Sequence, residues 1–547
     1  LTFAAAAVIL FVPTTLLRKE LVMFARCLGA IPRGIGALFV SVEVDRIRSQ
    51  FPSVTVVGMA DTAVREARER IFAAIRHLGH PPEPANIVIN LAPADERKAG
   101  ASLDLPMAVA LLAAAGRLSV DAAEGKLLLG ELSLEGRLLP TRGVLPMVLA
   151  ARDRGIRAVV VPADNADEAA VVAGIRIHAA RRLGEVVRHL AGGDPLPCHS
   201  RPTQQPSPAV SSIPDLADVI GQAHARRALE IAAAGGHHLL FMGPPGSGKS
   251  MLARRLPGIL PPLTDAEALE ATCVYSVSTR VPRPAGLLAN RPFRAPHHTI
   301  SSAALIGGGS RPQPGEVSLA HHGVLFLDEL TEFRRDVLES LRQPLEDGRV
   351  TVARAQQTVS FPARFQFVAA ANPCPCGHLG DDRRTCTCTP TMIQRYRNHL
   401  SGPLVDRIDL QVQVPAVPWR DLAAGHHGEP SAVVARRVAE ARHLQRRRLA
   451  AAGLACNAEM GPREIDRWAR PDDESRLLLE RAVSALGLSA RAFHRVLRVA
   501  RTIADLAGDE KIAPHYVAEA ISYRALDREQ GSDGGAQPLR RTVTLGR

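Results

Sequence analysis

The segment Gly243-Pro-Pro-Gly-Ser-Gly-Lys-Ser250 constrains this chain more than any other. Its spacing is G-x-x-x-x-G-K-[ST], and its surroundings agree. The apolar run Leu239-Leu-Phe-Met242 reads as a buried strand, and Met251 to Leu256 can begin a helix. A strand that ends in such a loop and continues as a helix belongs to a parallel sheet with helices on its faces. The glycines let the backbone curl so that its N–H groups face phosphate oxygens, and the helix N-terminus adds a favourable dipole. Gly243, Pro244, Pro245, Gly246, Ser247, Gly248, Lys249 and Ser250 are thus the expected ATP cradle. Lys249 neutralises β/γ-phosphate charge there and Ser250 holds Mg²⁺.

A hydrolase needs a second piece. Val324-Leu-Phe-Leu327 reads as another buried strand, and it ends in Asp328-Glu329. Asp328 is placed to hold Mg²⁺ through its water shell, and Glu329 to polarise the attacking water. Alone, two acids after an apolar strand say little, because strand ends are often polar. Beside the phosphate loop they favour hydrolysis over passive binding.

The 547 residues leave room for several domains. Residues 1–23 open with an uncharged run to Leu17, but the charges Arg18, Lys19 and Glu20 follow that run instead of preceding it. A start-site artefact is expected there, rather than an anchor or signal peptide. Residues 24–191 alternate strand and helix patterns. Residues 192–214 hold six prolines and read as a linker. Residues 215–430 carry the nucleotide motifs, 431–528 are mostly helical, and 529–547 look like a frayed tail. The expected fold class is therefore α/β and multidomain.

Lys+Arg outnumber Asp+Glu by 67 to 55, a net +12, which favours an anionic partner. Only five of the basic residues are lysine, and so arginine-rich a chain also reflects codon usage. The charge needs a location before it means anything. Arg349 and Arg354 lie on an expected β-hairpin with 359–361, and Arg446-Arg447-Arg448 form a second basic run. A run like the second is usually a solvated helix face. With aromatics at 4%, any nucleic-acid binding would be driven by the backbone and depend on salt.

Four of the eight cysteines cluster as Cys374, Cys376, Cys386 and Cys388, in the pattern C-x-C-x₉-C-x-C. The set suits a tetrahedral structural Zn²⁺ better than a secreted disulfide framework. His378 is an alternative fourth ligand. Reduced thiols or a redox pair are the competing readings.

Further motifs make a resemblance specific. Asp218-Val-Ile220-Gly-Gln222 is similar to the adenine-contacting segment of AAA+ ATPases. Phe367-Val-Ala-Ala-Ala-Asn372 resembles a sensor 1 strand, and Ser489-Ala-Arg491 the sensor 2 start of a helical lid. Gly402-Pro-Leu-Val-Asp-Arg407-Ile-Asp409 resembles an arginine-finger segment. Pro314 to Glu329, Leu341-Arg-Gln-Pro-Leu-Glu346, Arg291-Pro-Phe-Arg-Ala-Pro-His-His298 and Ile306-Gly-Gly-Gly309 narrow the likeness to the ComM/YifB family of bacterial magnesium-chelatase-like proteins, over about residues 24–528.

The resemblance implies a P-loop AAA+ core and a helical lid. It also implies a cytoplasmic homo-oligomeric ring, a hexamer by family architecture, in which Arg407 acts on a neighbour's nucleotide. Asn372 and Arg491 would serve in catalysis, although Asn372 can also merely cap its loop and Arg407 can be a local ion-pair partner. The expected partner is single-stranded or branched DNA, with branch migration during integration of transforming DNA as the implied activity. Residues 24–191 resemble a Lon protease-like domain (ribosomal S5 domain 2-like). There Ser102 stands at the nucleophile position, but Met147 stands where the dyad lysine belongs, so no peptidase activity is expected. Two other readings are a chelatase-type motor that remodels a protein partner, against which residues 24–190 argue, and an ATP-dependent protease.

Overall fold

The computed structural model describes residues 24–200, 213–309, 312–354, 357–381, 383–399, 402–418, 428–486 and 489–524. The chain forms two compact units. The first takes Leu1–Pro206 together with Leu269–Leu288, and the second takes Ser207–Ala268 and Ala289–Arg547.

The first unit is built on a mixed eight-stranded sheet. In sheet order its strands are Cys198–His199, Arg176–Ala180, Ala158–Pro162, Lys126–Leu128, Phe24–Arg33, Gly36–Arg48, Ala85–Ala92 and Ser53–Val57. Strand Gly36–Arg48 alternates buried and exposed positions, with Val40, Val42 and Val44 fully buried. That alternation is the period of a strand with one face on a core. Helix Asp104–Ala114 is apolar all round and buried at every position, as a helix between layers must be. Its Asp104 carboxylate accepts from Arg70 Nε at 3.0 Å and from the Leu132 N–H at 3.2 Å. Burial outweighs these partners and pushes Asp104 up to about 7.

Two features of this unit differ from the expected boundaries. Cys198–His199 pairs antiparallel with Arg176–Ala180, and Leu196 is buried, so part of the proline-rich stretch completes the sheet. Leu269–Leu288 lies in the sequence between the two nucleotide motifs, yet it belongs to this unit. The Gly143 N–H donates to the Ser276 carbonyl at 3.0 Å, and Arg142 Nη1 donates to the Ser278 and Val281 carbonyls at 2.7 and 3.1 Å. The Ser276 hydroxyl bonds the buried Glu168 carboxylate.

The second unit carries a five-stranded parallel sheet in the order Phe293–Arg294, Val324–Leu327, Gln366–Ala371, Leu239–Met242, Leu410–Gln413. The three inner strands are buried at every position, which explains their apolar runs; the one polar residue, Gln366, donates to the Ala232 and His237 carbonyls. The register places Met242 opposite Ala371 and Leu327 opposite Ala369. Gly243, Asp328 and Asn372 therefore leave the sheet at one edge, the carboxyl ends of the strands, where open α/β sheets bind ligands. Strands Arg349–Arg354 and Gln357–Pro362 pair as a separate antiparallel hairpin. From Ser431 onward the described elements are helices: Ser431–Leu449, Pro462–Trp468, Asp473–Leu486, Ala490–Ala507 and Pro514–Ser522, with short 3₁₀ turns. Among the described residues, no helix is long and apolar enough to cross a membrane.

Candidate active site

The phosphate loop joins strand Leu239–Met242 to helix Lys249–Arg255. Gly246 and Gly248 have φ of 76° and 94°, a region that β-carbon-bearing residues avoid. Gly243 has no room for a side chain, because a Cβ there would lie 2.0 Å from the Val414 carbonyl oxygen. Lys249 is buried and its Nζ donates to the Gly243 and Pro244 carbonyls at 2.6 and 2.9 Å and to Asn372 Oδ1 at 3.2 Å. Burial lowers its pKa, while Asp328 and Glu329 pull the other way. The Ser247 hydroxyl is buried with no hydrogen-bond partner. An ammonium resting on carbonyls and an orphaned hydroxyl, both inside a loop of left-handed glycines, fit a polyphosphate.

The Ser250 hydroxyl donates to Asp328 Oδ2 at 2.5 Å. A hydroxyl and a carboxylate in contact are hard oxygen donors of the kind Mg²⁺ takes beside phosphate. Glu329 adopts φ 51°, a left-handed conformation unusual for a non-glycine residue, and its carboxylate is 59% exposed. Strain of this kind at a strand end accompanies functional positions. Ile220 is half-buried in the segment ahead of helix Ala223–Gly235, where Gln222 Nε2 donates to the Pro415 carbonyl at 2.6 Å and the Ser247 carbonyl at 3.3 Å.

The structure thus brings together Lys249, Ser250, Asp328, Glu329 and Asn372. Arg407 is held elsewhere in the same chain, where its guanidinium pairs with Glu346. Arg491 is exposed in the first turn of helix Ala490–Ala507, whereas Arg495, one turn on, is drawn into the interior. Arg495 Nε lies 3.3 Å from the buried Asp409 carboxylate, which also faces His237 Nδ1 at 3.6 Å and accepts from the His238 N–H at 3.1 Å. Burial disfavours ionising Asp409, but His237 and Arg495 outweigh it and hold the carboxyl well below the usual range. Arg349 is exposed at the base of the hairpin. Arg354 is in the strand, but its side chain lies outside the described residues. Arg448 is no surface charge: it forms ion pairs with Asp505, at 2.6 Å for Nη2, and bonds Asn457 at 2.9 Å.

The four clustered cysteines converge, with all four Sγ atoms within 4.8 Å of one another. Cys374 and Cys376 are 3.4 Å apart, Cys374 and Cys386 3.7 Å, and Cys376 and Cys386 3.6 Å. Thiolates at 2.3 Å from a tetrahedral zinc stand about 3.8 Å apart, so these separations suit a metal and are far too long for disulfides. Backbone N–H groups of His378 and Thr387 lower the Cys376 thiol to about 5. His378 stands outside the set, bonded through Nδ1 to Asp381 at 3.0 Å.

In the first unit, the Ser102 hydroxyl is buried and donates to the Ala30 carbonyl at 2.9 Å. Met147 is fully buried in an apolar cluster with Val144, Leu145 and Val148. Lys98 is buried and its ammonium bonds the Pro93 carbonyl, while Lys126 bonds the Ala122 carbonyl at 2.9 Å.

The sequence points to no role for His298, yet its Nδ1 lies 3.6 Å from Glu329 Oε2 and its ring packs edge-on to Phe333. It ends the segment Arg291 to His298, which the parallel pairing of Phe293–Arg294 with Val324–Leu327 brings beside Glu329.

Comparison with known proteins adds relatives to this geometry. The family description "Magnesium chelatase, subunit ChlI" matches residues 215–422, with companion descriptions of the same subunit matching 42–165 and, for its C-terminal part, 428–524. The chain is 44% identical over 501 residues to the competence protein ComM of Haemophilus influenzae, covering 90% of this chain and 96% of the relative. It is 43% identical over 497 residues to YifB of Escherichia coli, covering 90% and 96%. Similarity to the magnesium-chelatase 38 kDa subunit of Rhodobacter capsulatus is 26% over 222 residues, covering 37% of this chain and 59% of that one.

Proposed function

The chain belongs to the ComM/YifB family of magnesium-chelatase-like AAA+ proteins, and from that premise we propose that it is a ring-forming ATPase that drives branch migration of DNA during the integration of transforming DNA. The observation that carries the ATPase half is the contact of Ser250 with Asp328, flanked by Lys249 on Asn372 and by Glu329. Lys249 exchanges its carbonyl partners for phosphate oxygens, Ser250 and, through its water shell, Asp328 would hold Mg²⁺, and Glu329 polarises the attacking water. Bound Mg²⁺ supplies charge neutralisation on the phosphates. Asn372 orients the site from the neighbouring strand. Arg491 closes it from the helical lid, and Arg407 leaves Glu346 to serve an adjacent subunit of the ring, a hexamer by family analogy.

The DNA half rests on the name borne by the Haemophilus relative, on the +12 charge and on the exposed Arg349 of the hairpin. In this reading residues 24–191 are a Lon-like platform without a proteolytic lysine, and Cys374, Cys376, Cys386 and Cys388 bind a structural Zn²⁺. A chelatase-type motor acting on a protein partner is the second reading. Identity to the 38 kDa subunit is only 26%, against 44% to the Haemophilus relative, which gives this reading less support.

Steady-state ATP hydrolysis with and without single-stranded or branched DNA tests the proposal. DNA is expected to stimulate turnover. Glu329→Gln is expected to lower kcat by roughly 10²–10⁴-fold while leaving nucleotide binding intact. Absence of DNA binding at low salt overturns the DNA half and leaves the ATPase half standing.

A further inference from the structure

Between Pro373 and Thr389 the described chain contains no helix or strand, so hydrogen-bonded ladders do not hold it in place. It nevertheless touches the nucleotide site on three sides. At its start it continues directly from Asn372, whose Oδ1 accepts from Lys249. In its middle, Gly377 lies against the phosphate loop: φ there is 82°, and a Cβ would stand 2.6 Å from Pro245 Cδ. Further on, the Arg383 guanidinium donates to the Val417 carbonyl. Val417 packs near Gly221, beside Ile220, and the same strip of chain offers the Pro415 carbonyl to Gln222. The helix that follows, Pro390–Arg397, bonds the turn after Glu329, where Tyr396 Oη accepts from Thr331 at 2.5 Å.

We propose that the four-cysteine insert is a metal-dependent clamp on the nucleotide pocket, so that zinc occupancy sets ATP affinity. This rests on the ATPase and zinc readings above and goes beyond a bracing role for the metal. The physical argument is one of order. A loop without regular structure keeps Gly377 on Pro245 and Arg383 on Val417 only if something removes its conformational freedom, and four thiolates on one ion do so. Without the ion the loop can leave. The phosphate loop and the strip at 414–418 then lose the surface they rest on, and their ordering cost falls on nucleotide binding.

The test uses the full-length protein. Bound zinc is measured by elemental analysis, and the Kd of a fluorescent ADP analogue is measured by titration. Zinc-loaded protein is expected to carry one zinc per chain. Cys386→Ser is expected to lose the zinc and bind the analogue about tenfold more weakly. Gly377→Ala and Arg383→Ala keep all four thiols. They are expected to retain zinc and still weaken binding severalfold, which keeps the test open should the cysteine variant fail to fold. Unchanged Kd in zinc-free protein, unchanged Kd in both zinc-retaining variants, or absence of zinc from the native protein each overturns the clamp. Failure of zinc-loaded wild type to bind the analogue overturns the ATPase reading instead.

Discussion

Each unit buries a lysine near a loop at its sheet, and the two are satisfied in different ways. Lys98 in the first unit and Lys249 in the second both rest on backbone carbonyls, and burial lowers the pKa of each. Lys98 has its acidic neighbours, Asp95 and Glu96, in its own loop. Lys249 has partners from three different strands' ends: Gly243, Asn372 and, through charge, Asp328 and Glu329. A buried charge alone does not mark a site. What marks it is a set of partners drawn from separate elements that a ligand can replace.

Substitution can break this comparison. Lys249→Ala is expected to weaken nucleotide binding and hydrolysis by roughly 10²–10³-fold, the scale of losing one preorganised charge contact, as read by nucleotide titration and phosphate release. Lys98→Met is expected to leave both near wild type. Loss of ATP binding in a folded Lys98→Met protein would abolish the distinction.

A second contrast lies within the second unit, between Arg491 on the surface and Arg495 on Asp409. Asp409→Asn leaves Arg495 buried beside a neutral group and is expected to cost about 3–5 kcal/mol in thermal or urea unfolding. Arg491→Ala is expected to affect turnover while leaving stability within about 0.5 kcal/mol.

The same cluster predicts a pH dependence. His238 is pushed down to about 4 by burial, and the Phe367 N–H donates to its Nδ1 at 3.1 Å, which keeps that nitrogen unprotonated. Between about 6.5 and 4 the unfolded chain takes up this proton and the folded chain does not, so stability falls as pH falls through that window. Asp409, held ionised, adds to the loss at the acid end. His238→Asn should flatten the upper part of the slope in unfolding measured across pH.

The smallest effect belongs to the first unit. Ser102→Ala removes one buried hydrogen bond to Ala30 and is expected to cost about 1–2 kcal/mol with ATP hydrolysis unchanged. A selective loss of a hydrolytic activity in this variant would give Ser102 a chemical role.

These contrasts also show what the sequence makes legible. The strand–loop–helix at 239–256 and the acids after Leu327 could be read because their chemistry is written in contiguous residues. So could the cysteine set, whose four members fall between 374 and 388. Asp409 with Arg495, Arg448 with Asp505 and His298 with Glu329 could not. Each joins residues far apart in the chain, and an arginine at a helix end looks the same whether it meets water or a buried carboxylate. Arg448 reads as part of a basic run, yet it is ion-paired with Asp505. The unit boundary was hidden similarly. Nothing in the composition of Leu269–Leu288 separates it from its neighbours, while Ser276 on Glu168 and the carbonyls on Arg142 assign it to the first unit.

That assignment has a consequence for synthesis. A ribosome making this chain finishes the first unit's main stretch at residue 206 but does not deliver its last piece until residue 288. At about 5–20 residues per second, the roughly 80 intervening residues take about 4–16 s, during which Glu168 and Arg142 wait for partners still to be translated. The phosphate loop is among the residues made during that wait. The amino-terminal unit therefore completes its fold only after the phosphate loop of the second unit has been made, and neither unit can be released as a finished module before the other has begun.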